Sequence, residues 1–144
     1  MSSHLTLICS FTLESNSKTM RLFLSAAAIN GALAVLLGAF GAHLLKQMIT
    51  LEMLDVYKTG VQYHFYHTFA LLAVGILWSQ HPSGILKWSG YLFMAGMAIF
   101  SGFLYLLAIT GIKALGMIVP IGGITLIAGW ICLLVHVWKT RTTD

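Results

Sequence analysis

The side chains with the greatest chemical capacity in this chain are three histidines, His43, His64 and His67, set in otherwise apolar sequence. Neutral imidazoles can bind a divalent metal, two of them can ligate a haem iron, and near neutral pH they can relay protons. His64 and His67 are three residues apart, so on a helix they project from nearly the same face. Gln62 adds a polar group beside them. Ser101 and Tyr105, four apart, form a second polar pair, and beyond Pro120 the glycines Gly122 and Gly123 offer a place where backbone or ligand can come close. A plainer reading stands beside these: the imidazoles hydrogen-bond Tyr105, Ser101, Asn30 or loop carbonyls and so fix how the helices sit against each other.

The elements that must position these groups are visible in the charge map. Of 144 residues, 58% are hydrophobic and only 8% charged, against roughly 25% charged in soluble domains. The blocks between Arg21, Lys46, Lys58, Lys87, Lys113 and Lys139 include four long, uncharged, apolar stretches: 22–44, 61–78, 88–110 and 115–137. Each approaches the ~20 residues a helix needs to cross about 30 Å of hydrocarbon. An all-α, up-and-down bundle of four transmembrane helices is predicted, forming one membrane domain over 20–144. Leu51, Met53, Leu54, Val56 and Tyr57 alternate with Glu52, Asp55 and Lys58, which predicts a short interfacial helix between spans one and two. His81, Pro82, Ser83 and Gly84 make the second connection a turn, and the third, near Gly111–Ala114, is so short that spans three and four must form a hairpin.

The first span carries Ala27, Gly31, Ala34, Gly38 and Gly41 at three- and four-residue intervals, the small-residue stripe that lets membrane helices approach closely. Asn30 lies within it and needs a partner on a neighbouring helix. With this topology His43, His64, His67, Ser101, Tyr105 and the turn from Pro120 to Gly123 are expected to share the outer half of the bundle. Most aromatic residues, Trp130 among them, are expected near span ends as interfacial belts.

The net charge of +4 comes from scattered residues rather than a patch, so nucleic acid is not expected as a partner. The basic residues instead speak to orientation. Lys18, Arg21, Lys87, Lys139 and Arg141 lie on one side, Lys46, Lys58 and Lys113 on the other, which predicts cytoplasmic termini. Residues 1–19 read as a leader or mobile arm; Met20-Arg21 followed by Leu22-Phe23-Leu24 is an alternative start of translation. Cys9 and Cys132 are far apart and form no metal or redox motif.

No carboxylate lies inside a span, which argues against an ion-coupled transporter or proton pump of the usual kind. There is no phosphate-binding glycine loop, no intramembrane aspartate pair and no HExxH. A Ser101 nucleophile served by His64 or His67 lacks the sequence context of intramembrane serine hydrolases. The expectation is a non-enzymatic accessory, scaffold or ligand-binding membrane protein without a cofactor. A small transporter or channel subunit is the alternative, and a metal- or haem-binding component using His64, His67 and His43 comes third. The bilayer is the expected surrounding, with a second copy or another membrane protein as partner.

The blocks Gly38-Ala39-Phe40-Gly41-Ala42-His43, Tyr57-Lys58-Thr59-Gly60-Val61-Gln62-Tyr63-His64-Phe65-Tyr66-His67, Phe100-Ser101-Gly102-Phe103-Leu104-Tyr105, Pro120-Ile121-Gly122-Gly123 and Gly129-Trp130 resemble domain-of-unknown-function family 423. That family comprises small bacterial membrane proteins and is similar to the eukaryotic transmembrane protein 256. The resemblance runs from about Met20 to Lys139. It implies four spans in the bacterial cytoplasmic membrane and no particular activity.

Overall fold

The computed structural model describes residues 2–140, with side chains from residue 14 onward. Arg141 and the side chain of Cys9 lie outside that part. The elements are α1 (Ser2–His43), α2 (Leu51–Gln80), α3 (Gly84–Thr110) and α4 (Val119–Thr140), with 3-10 turns at Leu45–Gln47 and Lys113–Met117.

Local chemistry sets the boundaries. Thr50 is extended and its hydroxyl accepts the Met53 N–H at 3.3 Å, starting α2; Ser83 does the same for Leu86 at 3.2 Å, starting α3. Pro82 restricts His81 before it, so α2 ends there with His81 at φ −139°. Gly111, at φ 70°, closes α3 by donating its N–H to the Leu107 carbonyl at 2.8 Å. Only glycine enters that left-handed region without strain.

The expected interfacial helix is not a separate element. Leu51–Tyr57 forms the first two turns of α2, which continues unbroken through Gly60. Amphipathic spacing is common to both arrangements, and no residue between Tyr57 and Val61 stops a helix. The leader is likewise helical and continuous with α1; the Trp78 indole donates to the Asn16 carbonyl at 3.0 Å, so the chain engages the core ahead of Met20.

Successive helices are antiparallel and pack in chain order: α1 on α2, α2 on α3, α3 on α4, with little contact between α1 and α3. On the first seam Gly41, Gly38, Gly31 and Leu24 lie beside Tyr57, Val61, Thr68 and Gly75 in turn. Buried Ala27 and Ala34 complete that face of α1. The α3–α4 seam is tighter still. A Cβ on Gly122 would stand 2.5 Å from the Phe100 nitrogen, so any side chain there would have to push two backbones apart. Phe23, Leu71, Val74, Trp78, Leu86, Phe93 and Leu126 form the main core, with Phe23 edge-on to Trp78 and Tyr91.

Among the described residues three segments are long and apolar enough to cross a membrane: Glu14–Gln47, Gly84–Thr110 and Lys113–Thr140. The stretch expected as a second span falls short of that apolarity. It carries Gln62, His64, His67 and Thr68, and what those side chains do explains why this helix tolerates them.

Candidate functional site

α2 lies between α1 and α3, and His64, only 7% exposed, bridges both of its neighbours. Its Nε2 is 2.9 Å from Asn30 Oδ1 on α1 and its Nδ1 is 3.1 Å from the Tyr105 hydroxyl on α3. The Asn30 amide nitrogen donates to the Ala26 carbonyl at 2.8 Å, which turns its oxygen, a pure acceptor, toward the imidazole. His64 therefore carries its proton on Nε2, and Tyr105 donates to the Nδ1 lone pair. Gly60 makes this reach possible. The Tyr105 ring crosses α2 where a Cβ would be only 2.9 Å from it. Tyr57 packs on Tyr105 with ring centroids 5.0 Å apart and donates its hydroxyl to the Leu37 carbonyl at 2.9 Å.

His67, 6% exposed, has the opposite tautomer. Nδ1 is 2.7 Å from the Tyr63 carbonyl one turn back and must donate to it. Nε2 then accepts the Trp130 indole N–H from α4 at 3.2 Å. Phe93 stands edge-on to Trp130 at 5.2 Å and Tyr63 lies 4.6 Å from Phe100, so the second imidazole sits in an aromatic setting.

The two histidines share a helix face but serve different seams. A groove of about 710 Å³, edged by Tyr63, Tyr66, Phe69, Gly123, Ile127 and Trp130, runs between α2 and α4 above His67. A smaller cavity of about 260 Å³ lies between α1 and α3 above His64, bounded by Asn30, Met94, Met97, Ala98, Ser101, Gly102 and Tyr105.

Other expected members fall elsewhere. His43 is exposed at the end of α1 and joins neither group. Gln62 is exposed and donates to the Tyr66 hydroxyl at 2.6 Å along its own helix. Gly122 is filled by the Phe100 backbone rather than open to a ligand. Nor do the histidines lie toward one end. α2 begins at Leu51, so His64 is about 20 Å along it at ~1.5 Å per residue. It lies opposite the stretch of α1 between Gly31 and Gly38, the middle of the charge-free run from Arg21 to Lys46.

Ser101 is 2% exposed and its hydroxyl has no partner among the described residues. It is not bonded to His64, whose basic nitrogen is taken by Tyr105, so a serine–histidine relay is not assembled. Metal ligation meets the same obstacle. An imidazole binds metal through its lone pair, and those of His64 and His67 are occupied by a phenol and an indole. Among the described residues no three of His, Cys, Asp and Glu are grouped to hold an ion.

A third buried imidazole had no place in the sequence reading. His136 on α4, 2% exposed, pairs through Nδ1 with the Ser83 hydroxyl at 2.9 Å, and Ser89 donates to the Gly129 carbonyl at 2.9 Å nearby. A lone histidine in apolar sequence is itself the signal. Trp130 was masked differently, because its type and position fitted a belt.

Residues 37–123 match the family model described as "Protein of unknown function (DUF423)". The chain belongs to that family. It is 47% identical over 122 residues to UPF0382 membrane protein YwdK of Bacillus subtilis (strain 168), covering 83% of this chain and 98% of the relative. It is 44% identical over 120 residues to UPF0382 membrane protein SAB0533 of Staphylococcus aureus (strain bovine RF122 / ET3-1), with the same coverage of both. No solved structure matches. A DUF423 chain with such relatives is a membrane protein, and all its chemistry-bearing blocks except Gly129-Trp130 fall within the matched residues.

Proposed function

We propose that this DUF423 protein is a non-enzymatic, four-span protein of the bacterial cytoplasmic membrane, a small accessory, scaffold or ligand-binding protein. The observation that supports the non-catalytic reading is the saturation of both imidazoles by hydrogen bonds to neighbouring groups. A general base or a metal ligand needs a free lone pair aimed at its target. In His64 and His67 that lone pair faces Tyr105 and Trp130.

The same bonds support α2 as the fourth span. A polar group in hydrocarbon is costly unless it faces the bundle interior and is paired. α2 has α1 and α3 on either side, and its buried polar side chains, His64, His67 and Thr68, engage neighbouring helices or its own carbonyls, as Thr68 does with the His64 carbonyl at 2.8 Å. Lys18, Arg21, Lys87 and Lys139 fall at one end of the bundle and Lys46, Lys58 and Lys113 at the other; with Arg141 from the sequence, the excess favours cytoplasmic termini. The lipid-facing rows, such as Ile121, Ile124, Ile127 and Ile131 on α4, suit the bilayer, a second copy or a membrane-protein partner; nucleic acid has no basic patch to meet.

Purification from native membranes with intact-complex mass spectrometry tests this reading. The expected species is colourless and metal-free, carrying a second copy or a protein partner. Stoichiometric haem or metal bound to the wild type and lost with His64→Ala would overturn it.

A further inference from the structure

Hydroxyls on apolar helices ordinarily satisfy themselves by donating to the carbonyl one turn back. Thr19, Thr59, Thr68, Thr110 and Thr125 all do so in this protein, at 2.6–3.1 Å. Ser101 does not, and its hydroxyl stays unpartnered although the residue is 2% exposed. A buried hydroxyl without a partner is destabilising, and this one borders the 260 Å³ cavity between α1 and α3. Two more bonding capacities meet at the same cavity. The Asn30 amide has two hydrogens and gives one to Ala26, and the Tyr105 oxygen keeps its lone pairs after donating to His64.

We infer that this cavity is a binding site for the uncharged, carbonyl- or hydroxyl-bearing end of a membrane-dissolved ligand. Charge is excluded because no ionisable side chain but the hydrogen-bonded His64 and Tyr105 lines the cavity, and an ion there would lack a counter-charge. Amphiphilic character follows from the division of the wall. Asn30, Ser101 and Tyr105 supply the polar part, while Met94, Met97 and Ala98 supply an apolar surface whose methionines adapt to irregular shapes. Entry is lateral. α1 and α3 barely touch, and a Cβ on Gly102 would meet nothing within 4 Å. The volume, at about 30 Å³ per water, matches roughly nine waters or one small ring headgroup.

This inference rests on the ligand-binding, non-enzymatic reading above. Its test is thermal unfolding of the detergent-purified full chain with four probes: a decyl-substituted benzoquinone, dioctanoylglycerol, dodecane and decyl phosphate. The quinone offers carbonyls and the glyceride a hydroxyl, so their comparison identifies which class supplies the headgroup. At least one neutral polar probe is expected to raise the midpoint saturably, while dodecane and decyl phosphate do not. Ser101→Ala breaks no bond among the described residues and removes a buried hydroxyl that lacks a partner, so it should fold with a midpoint at or above that of the wild type and bind that probe about tenfold more weakly. Gly102→Phe projects into the opening and should abolish the shift. Absence of a saturable shift with both neutral probes, equal binding by the two variants and wild type, or an equal response to decyl phosphate would overturn the site. Recovery of a bound probe in chemically altered form would overturn the non-enzymatic reading and leave the site standing.

Discussion

His64 and His67 sit one helical turn apart on α2 and look interchangeable in sequence, yet their duties differ. His64 spends both ring nitrogens on other helices, Asn30 of α1 and Tyr105 of α3, and so ties three helices at one point. His67 spends one on its own backbone and only one on another helix, through Trp130 of α4. The proton sits on Nε2 in the first and Nδ1 in the second. What distinguishes two identical side chains is the partner each meets, and that partner dictates the tautomer.

The comparison makes unequal losses the expectation. His64→Ala removes two interhelical bonds and leaves Asn30 and Tyr105 without their shared partner; a loss of about 2–4 kcal/mol in reversible unfolding is expected from the buried groups left unpaired. His67→Ala should cost about half as much, since only one interhelical bond goes. Equal losses, or a larger one at His67, would break the asymmetry. Gly60→Ala separates the sides further. A methyl there meets the Tyr105 ring, so it should weaken the His64 seam by about 1–3 kcal/mol through overpacking while the indole environment of Trp130, followed by fluorescence, stays put. The smallest effect belongs to Trp130→Phe, which keeps an aromatic ring and removes one donor; interhelical bonds in membranes average about 0.6 kcal/mol. A loss well beyond that would mean that Trp130 contributes chiefly through packing with Phe93.

Much of this architecture was legible in the chain because charge and turn chemistry act locally. Arg21, Lys46, Lys87 and Lys113 bracket apolar runs, and Ser83 and Gly111 stand at helix ends. The start of α2 was not legible, since the alternation from Leu51 to Lys58 suits an interfacial helix as well as two turns of a longer one. That ten-residue extension carried His64 from the expected outer layer to mid-height. Partner choice was only half visible. Asn30 and Tyr105 were among the groups His64 could meet, but so was Ser101, and selecting between them requires the register of three helices. Trp130 and His136 act across seams that no spacing within one helix reveals.

The central claim, that His64 is a neutral clamp holding its proton on Nε2 while His67 holds its own on Nδ1, is tested most directly by nitrogen NMR of the protein labelled at histidine, in detergent at neutral pH. His64→Gln and His67→Gln assign the signals. The account expects two buried, neutral imidazoles of opposite tautomer, with coupling of the His64 signals to Asn30 and Tyr105. A charged His64, or the same tautomer at both positions, would contradict it.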